Sequence, residues 1–204
     1  SVINKTLKEE TGDILVFLPG VREIQQTADA LSTIHSDISI RPLYGELSLN
    51  AQQEAIKPDA QLRRKVVLAT SIAETSLTIE GIHIVIDSGL ARVPKFDPNS
   101  GMTKLDTVKV TQDAADQRAG RAGRLGPGIA IRLWSEATHN YLKPQRIPEI
   151  LEADLAPLVL ELAQWGVKDI SSMTWVTVPP KGSVEQAKSL LQELHALNRD
   201  AITE

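Results

Sequence analysis

Residues 64–70 read RKVVLAT, two cations followed by an uninterrupted apolar centre. A short apolar run of this kind fits a strand buried on both faces, as in a parallel sheet. Four further β-branched runs lie around it: ILVFL (14–18), ISIRPLY (38–44), IHIVIDS (82–88) and GIAIRLW (128–134). Helical patterns separate them. In VREIQQTADALSTI (21–34), Val21, Ile24, Ala28, Leu31 and Ile34 form one stripe at three- and four-residue steps. A shorter helical segment follows Ser48. Strands alternating with helices predict βαβ units, hence an α/β fold with a three-layer, mostly parallel sheet. In such sheets the working loops leave the carboxyl ends of the strands. The run Arg63–Arg64–Lys65 is expected to flank a strand on the surface.

The pattern changes after about Tyr141. KPQRIPEI (143–150) carries two prolines and reads as a connector, placing a first domain at 1–143 and a second, mainly helical one at 144–204. Asp154 is placed to cap a helix with Pro157 in its first turn, where a missing amide removes no helical bond. Leu158, Leu162 and Trp165 are its expected apolar stripe. After the break VTVPPKG (176–182), Ser183 and Gln186 have capping-box spacing for a second helix running through Leu197. Within the first domain, DPNSG (97–101) is a turn between Arg92–Phe96 and Met102–Val110, which predicts a β-hairpin around 92–110.

Composition narrows the function. The 204 residues include no cysteine, so disulfides and thiolate metal sites are excluded and a reducing, cytoplasmic setting is expected. No apolar run approaches the ~18 residues of a membrane span. The four histidines, His35, His83, His139 and His195, lack metal-ligand spacing, and no metal site is expected. A formal net charge of −4 argues against a free-standing nucleic-acid binder.

Against that acidic balance stands QRAGRAGR (117–124), three arginines at three-residue spacing, separated by alanine and glycine. It falls in a predicted helical segment that starts near Thr111. At about 100° per residue, Gln117, Arg121 and Arg124 fall within about 60° of one another, while Arg118 points away and is expected to pair internally. A solvated basic face is the alternative. However, the stretch contains no carboxylate to pair with, and each glycine costs a helix about 1 kcal/mol. Two forked guanidiniums and an amide on one face suit a phosphate.

QRAGRAGR resembles motif VI of the DEAH-box RNA helicases of superfamily 2. Other stretches agree in order. ILVFLPGVREI (14–24) resembles the motif IV region, PLYGELS (42–48) motif IVa, and ATSIAETSLTIEGI (69–82) motif V. IDSGLAR (86–92) with FDPNSG (96–101) resembles the segment that builds the family's β-hairpin, and 148–167 with 179–197 its winged-helix region, in wording closest to the bacterial HrpB-type branch. The phosphate loop G-x-x-x-x-G-K-[ST] and the D-E-x-H motif of the first RecA-like lobe are absent. The resemblance therefore implies a fragment: the second RecA-like lobe followed by the start of a winged-helix region, inactive alone.

The resemblance also implies roles. Arg121 and Arg124 are arginine fingers, and Gln117 orients the attacking water or meets the γ-phosphate. Thr78 and Glu80 lie near the ribose. Ile56 occupies the place where many eukaryotic relatives stack an aromatic residue on adenine. Thr70, Ser71, Gly20 and Arg22 face RNA, and the hairpin projects towards it; a glycine that only turns the chain is an equal reading of Gly20, and an ordinary surface hairpin is the alternative for 92–110. Ser71 stands where asparagine is common, and Glu80 where aspartate is common. For Ser71, Thr75 and Ser76, capping of a short helix is an alternative. The implied ligand is ATP or another NTP, with Mg²⁺ held mainly by the first lobe of the same polypeptide. The implied partner is RNA, and a protein activator is left unspecified. Two other functions fit the residues: a non-catalytic nucleotide- or phosphate-binding regulatory module, and an unrelated α/β metabolic enzyme with a basic phosphate pocket.

Overall fold

The computed structural model describes residues 1–75, 77–97, 100–124, 126–167, 169–198 and 201–203. Three helices and three strands open the fold in alternation: α1 (Val2–Glu9), β1 (Asp13–Phe17), α2 (Val21–Ser32), β2 (Ser39–Leu43), α3 (Leu49–Ile56), β3 (Lys65–Ala69). Then come β4 (Ile82–Asp87), the hairpin strands β5 (Leu90–Asp97) and β6 (Met102–Lys109), α4 (Gln112–Ala119), β7 (Ile129–Arg132) and α5 (Glu136–Asn140). The tail holds α6 (Ala156–Gln164), α7 (Lys181–Glu193) and the short strands β8 (Leu197–Asn198) and β9 (Ala201–Ile202). The chain groups into two units, residues 1–93 with 107–146, and residues 94–106 with 147–204.

The first unit is built on a five-stranded sheet in the order β2-β3-β1-β4-β7. Every pairing is parallel, with Ile14 opposite both Val66 and Ile84, Ile40 opposite Val66, and Ile84 opposite Ile129. The two-residue period of a strand then divides the apolar runs between two faces. Ile14, Val16, Val66, Leu68, Ile84 and Ile86 pack with Ile3 of α1 and with Ile24 and Leu31 of α2. Leu15, Phe17, Val67, Ala69 and Val85 pack on the other face with Ala55 of α3, Ala73, Ile79 and Ala122. All five residues of β3 are buried, as the unbroken RKVVLAT run requires of a strand covered on both sides.

That burial includes Lys65, which corrects the expectation of a surface cationic run. The ammonium of Lys65 donates to the carbonyls of Ala55 (3.1 Å), Ile56 (3.4 Å) and Lys57 (2.7 Å), closing the carboxyl end of α3. Burial pushes its pKa below the ordinary lysine value, while the charges of Asp13 and Glu80 oppose the shift. Arg64 is also drawn inward, donating to Gly12 O at 2.7 Å and Leu7 O at 2.8 Å.

The hairpin forms where the turn residues place it. Gly101 takes φ +65, its amide donates to Asp97 O at 2.9 Å, and the Ser100 hydroxyl donates to Asp97 Oδ2 at 2.9 Å. Pro98 and Asn99 of the same turn lie outside the described residues.

In the second unit, Leu155, Ala156, Val159 and Leu162 of the α6 region pack with Ile170, Val184, Ala187, Leu191 and Leu197. Asp154 Oδ1 accepts from Ala156 N at 2.9 Å, and a proline sits in the first turn of α6. The apolar stripe differs from the expected one, because Trp165 caps the carboxyl end of α6 and is 72% exposed. Helix α7 also departs from expectation at both ends. It begins at Lys181, directly after the Pro179–Pro180 break, so Ser183 lies inside the first turn rather than at the cap. It stops at Glu193 because His195 adopts φ +56, and Leu197 enters an antiparallel pair with Ile202 instead. Among the described residues, no helix is long and apolar enough to cross a membrane.

Candidate functional site

Strands β1, β3 and β4 are neighbours, so the segments leaving their carboxyl ends start side by side; Leu18 N donates to Ala69 O at 2.8 Å. The segment after β3 carries Thr70 to Glu80. A single 3₁₀ turn, Ser71–Ala73, begins it, and the Glu74 amide closes that turn on Ser71 O at 3.0 Å. Thus Ser71 and Thr75 stand in and after a short turn with no side-chain cap bond at Thr70, and Ser76 lies outside the described residues.

Helix α4 delivers the arginines, but not on one helical face. It ends at Ala119 with Gly120 as its cap, so Arg121 and Arg124 lie beyond it. The glycines that weaken a helix here end it. The three guanidiniums therefore go three ways.

Arg118, the last basic residue inside α4, is 1% exposed. Its Nε and Nη2 donate to Glu74 Oε1 at 2.7 and 2.6 Å, and its Nη1 donates to Asp87 Oδ1 at 2.8 Å and Leu90 O at 3.2 Å. The guanidinium carbon lies 4.8 Å from the centroid of the Phe17 ring. A buried cation is tolerable only with this degree of pairing. The expected internal pairing of Arg118 is thus present.

Arg121 is 6% exposed. Its Nε donates to Glu74 O at 2.7 Å and its Nη1 to Leu77 O at 2.5 Å, with a further bond from Nη2 to Glu74 O. Among the described residues, those three bonds leave two of its five N–H groups without a partner. Burial pushes its pKa below the ordinary arginine value, the nearby charge of Arg124 adds to the shift, and Glu74 opposes it. A cation desolvated and crowded by a second cation is a place where an anion is favoured. The same charges disfavour Mg²⁺, which needs oxygen ligands.

Arg124 is exposed, and its Nη1 donates to Thr78 Oγ1 at 3.0 Å. Glu80 N donates to Ile56 O at 3.1 Å. The structure therefore pairs Arg124 with Thr78 and Glu80 with Ile56, and the two pairs sit two residues apart on the segment after β3. Gln117 is exposed near the end of α4.

On the β1 side, Gly20 is the N-terminal cap residue of α2, and Arg22 is exposed on its first turn. Gly20 is extended rather than left-handed (φ −165), so its need for glycine is one of space. A Cβ there would come within 2.4 Å of Arg92 Nη1. Arg92 crosses Gly20 to reach Glu23 Oε1 at 3.2 Å.

Four participants escape sequence reasoning: Glu74, Asp87, Arg92 and Arg146. Arg146, in the proline-rich connector, pairs with Glu74 Oε2. Only Asp87 leaves a readable trace, as a lone acid ending the apolar strand IHIVIDS.

Residues 1–126 match the family described as the helicase conserved C-terminal domain. The chain is 50% identical over 198 residues to the ATP-dependent RNA helicase HrpB of Escherichia coli, covering 97% of this chain and 24% of that protein. It is 38% identical over 199 residues to the ATP-dependent RNA helicase HrpA of the same organism, covering 97% of this chain and 15% of that one. A crystal structure of the E. coli DEAH/RHA helicase HrpB superposes with a TM-score of 0.91 at 49% identity, over 99% of this chain and 26% of that one. The chain thus spans about a quarter of HrpB and less of HrpA. With its parallel RecA-like sheet and its motif segments in order, the chain belongs to the helicase conserved C-terminal domain family.

Proposed function

We propose that this chain is the C-terminal RecA-like lobe of an ATP-dependent RNA helicase of the DEAH-box type, supplying arginine fingers to an ATP site and part of an RNA channel. The observation that carries the reading is the placement of Arg121 and Arg124. Both lie in the turn after α4 and both are held by the segment after β3, Arg121 by carbonyls and Arg124 by Thr78. ATP hydrolysis moves negative charge onto phosphoryl oxygens, and guanidiniums positioned beforehand stabilise it without reorganising. In this reading Gln117 orients the attacking water. Thr78, Glu80 and Ile56 border the nucleoside. Thr70, Ser71, Gly20 and Arg22 contact RNA backbone, and the β5–β6 hairpin reaches towards it. The first lobe of the same polypeptide supplies the phosphate loop and holds Mg²⁺. The names of the HrpB and HrpA relatives support ATP and RNA as the ligands.

The test is Arg124→Ala in the full-length parent. RNA-stimulated kcat is expected to fall by about a hundredfold or more. RNA affinity without nucleotide is expected to stay within about threefold, since no RNA contact is assigned to that side chain. An unchanged kcat would remove the finger role.

A further inference from the structure

Three guanidiniums converge on one residue that motif reasoning passes over. Glu74 Oε1 accepts both Nε and Nη2 of Arg118, its Oε2 pairs with Arg146, and its main-chain oxygen accepts Nε and Nη2 of Arg121. The side chain is 3% exposed, so these partners stand in place of water. Arg118 is anchored in turn by Asp87, whose Oδ1 also accepts the Gly89 amide at 2.9 Å. The carboxylate is thus gripped from α4 and from the connector, and the carbonyl of the same residue grips Arg121.

The geometry points to Glu74 as the positioning residue of the ATP site: its carboxylate, clamped between Arg118 and Arg146, fixes the carbonyl that aims Arg121. This inference rests on the reading of Arg121 as a finger and names what holds that finger in place. Glu74 touches no substrate. Its effect is geometric. An arginine side chain has four rotatable torsions, and the carbonyls of residues 74 and 77 remove that freedom before a phosphate arrives. If residue 74 shifts, two of the three bonds that orient Arg121 shift with it.

Glu74→Gln is the discriminating change. The amide keeps the shape and one acceptor oxygen for Arg118, but turns an NH₂ group towards Arg146, donor against donor. In the full-length parent, RNA-stimulated kcat is expected to fall by about ten- to a hundredfold, the cost of misplacing a catalytic group by about an ångström. KM for ATP and RNA affinity are expected to change by no more than about threefold. The decisive measurement repeats Glu74→Gln in an Arg121→Ala background. With Arg121 gone there is nothing left to aim, so the second change should cost no more than about twofold further.

Loss of the same factor in both backgrounds would overturn the positioning role, because Glu74 would then act independently of Arg121. Wild-type kcat for Glu74→Gln beside a crippled Arg121→Ala would overturn it while leaving the finger reading intact. Full kcat for Arg121→Ala alone would overturn the finger reading and this inference together. Should Glu74→Gln fail to fold, Arg146→Gln replaces it. That side chain is half exposed, and its loss opens the same clamp from outside. The same non-additivity with Arg121→Ala is expected.

Discussion

Arg118 and Lys65 are both cations with almost no exposed surface, and different devices keep them there. Arg118 meets two carboxylates, a carbonyl and an aromatic face. Lys65 meets three carbonyls at a helix end and relies on distant charges for the rest. Backbone approach decides the glycines at the same scale. A Cβ on Gly128 would stand 2.1 Å from Ala122 O, a main-chain atom of the arginine turn that cannot swing aside. On Gly20 the obstacle is the far end of Arg92, which can. Gly128→Ala is therefore expected to destabilise the fold by about 1–3 kcal/mol, the usual cost of overpacking. Gly20→Ala should cost less than about 1 kcal/mol. Urea midpoints of the two variants test the order; a larger loss at Gly20 would mean that the Arg92–Glu23 pair is a major support of the fold.

At the scale of elements, the loop between α3 and β3 shows how one carboxylate organises backbone. Asp59 Oδ1 accepts from Gln61 N (3.0 Å), Arg63 N (3.3 Å) and Arg63 Nε (3.2 Å), and Oδ2 accepts from Arg63 Nη2 (3.1 Å) and Arg41 Nη2 (3.4 Å). The Arg63 guanidinium, with the Gln61 amide adding to it, holds its pKa well below the ordinary 3.8, against the effect of burial. A depressed carboxylate contributes stability that is full above its unfolded value and drains as pH falls towards its folded value. Asp59→Asn should lower Tm at pH 7, and the gap to the wild type should close progressively below about pH 4. A gap that stays constant down to pH 2 would exclude this linkage.

Elements were also what the sequence revealed best. The five sheet strands and helices α2 and α3 follow from period and β-branching, and the unbroken apolar centres of β1 and β3 match strands covered on both faces. The arginine turn was less legible. The 3.6-residue period carried a helix through Arg124, whereas two glycines ended it at Ala119, so Arg121 and Arg124 are held by the β3 segment instead of by a helical face. Arg146 and Glu74 stand 72 residues apart, and nothing local in a proline-rich connector marks a partner at that distance. Periodicity sees one element at a time, while a buried ion pair belongs to several.

For the whole molecule, the question is what 204 residues can do when their relatives are several times longer. In the proposed reading the guanidiniums and the Thr78 hydroxyl meet the outer oxygens of a nucleotide, and Glu80 its sugar. Hydrolysis also needs backbone amides cradling the β- and γ-phosphates and carboxylates holding Mg²⁺. No G-x-x-x-x-G-K-[ST] stretch occurs in this chain to cradle them, and the guanidiniums repel the metal. A finger stabilises a transition state that another lobe must assemble. The purified 204-residue chain should therefore hydrolyse ATP at less than about 10⁻³ of the rate of the full-length parent, with or without RNA. Comparing the two proteins, each as wild type and as Arg124→Ala, makes the test specific. Any residual activity of the isolated chain should be indifferent to Arg124→Ala, since it would belong to a contaminant. RNA-stimulated hydrolysis by the isolated chain that disappears with Arg124→Ala would show that this lobe, alone or paired with itself, completes an ATP site.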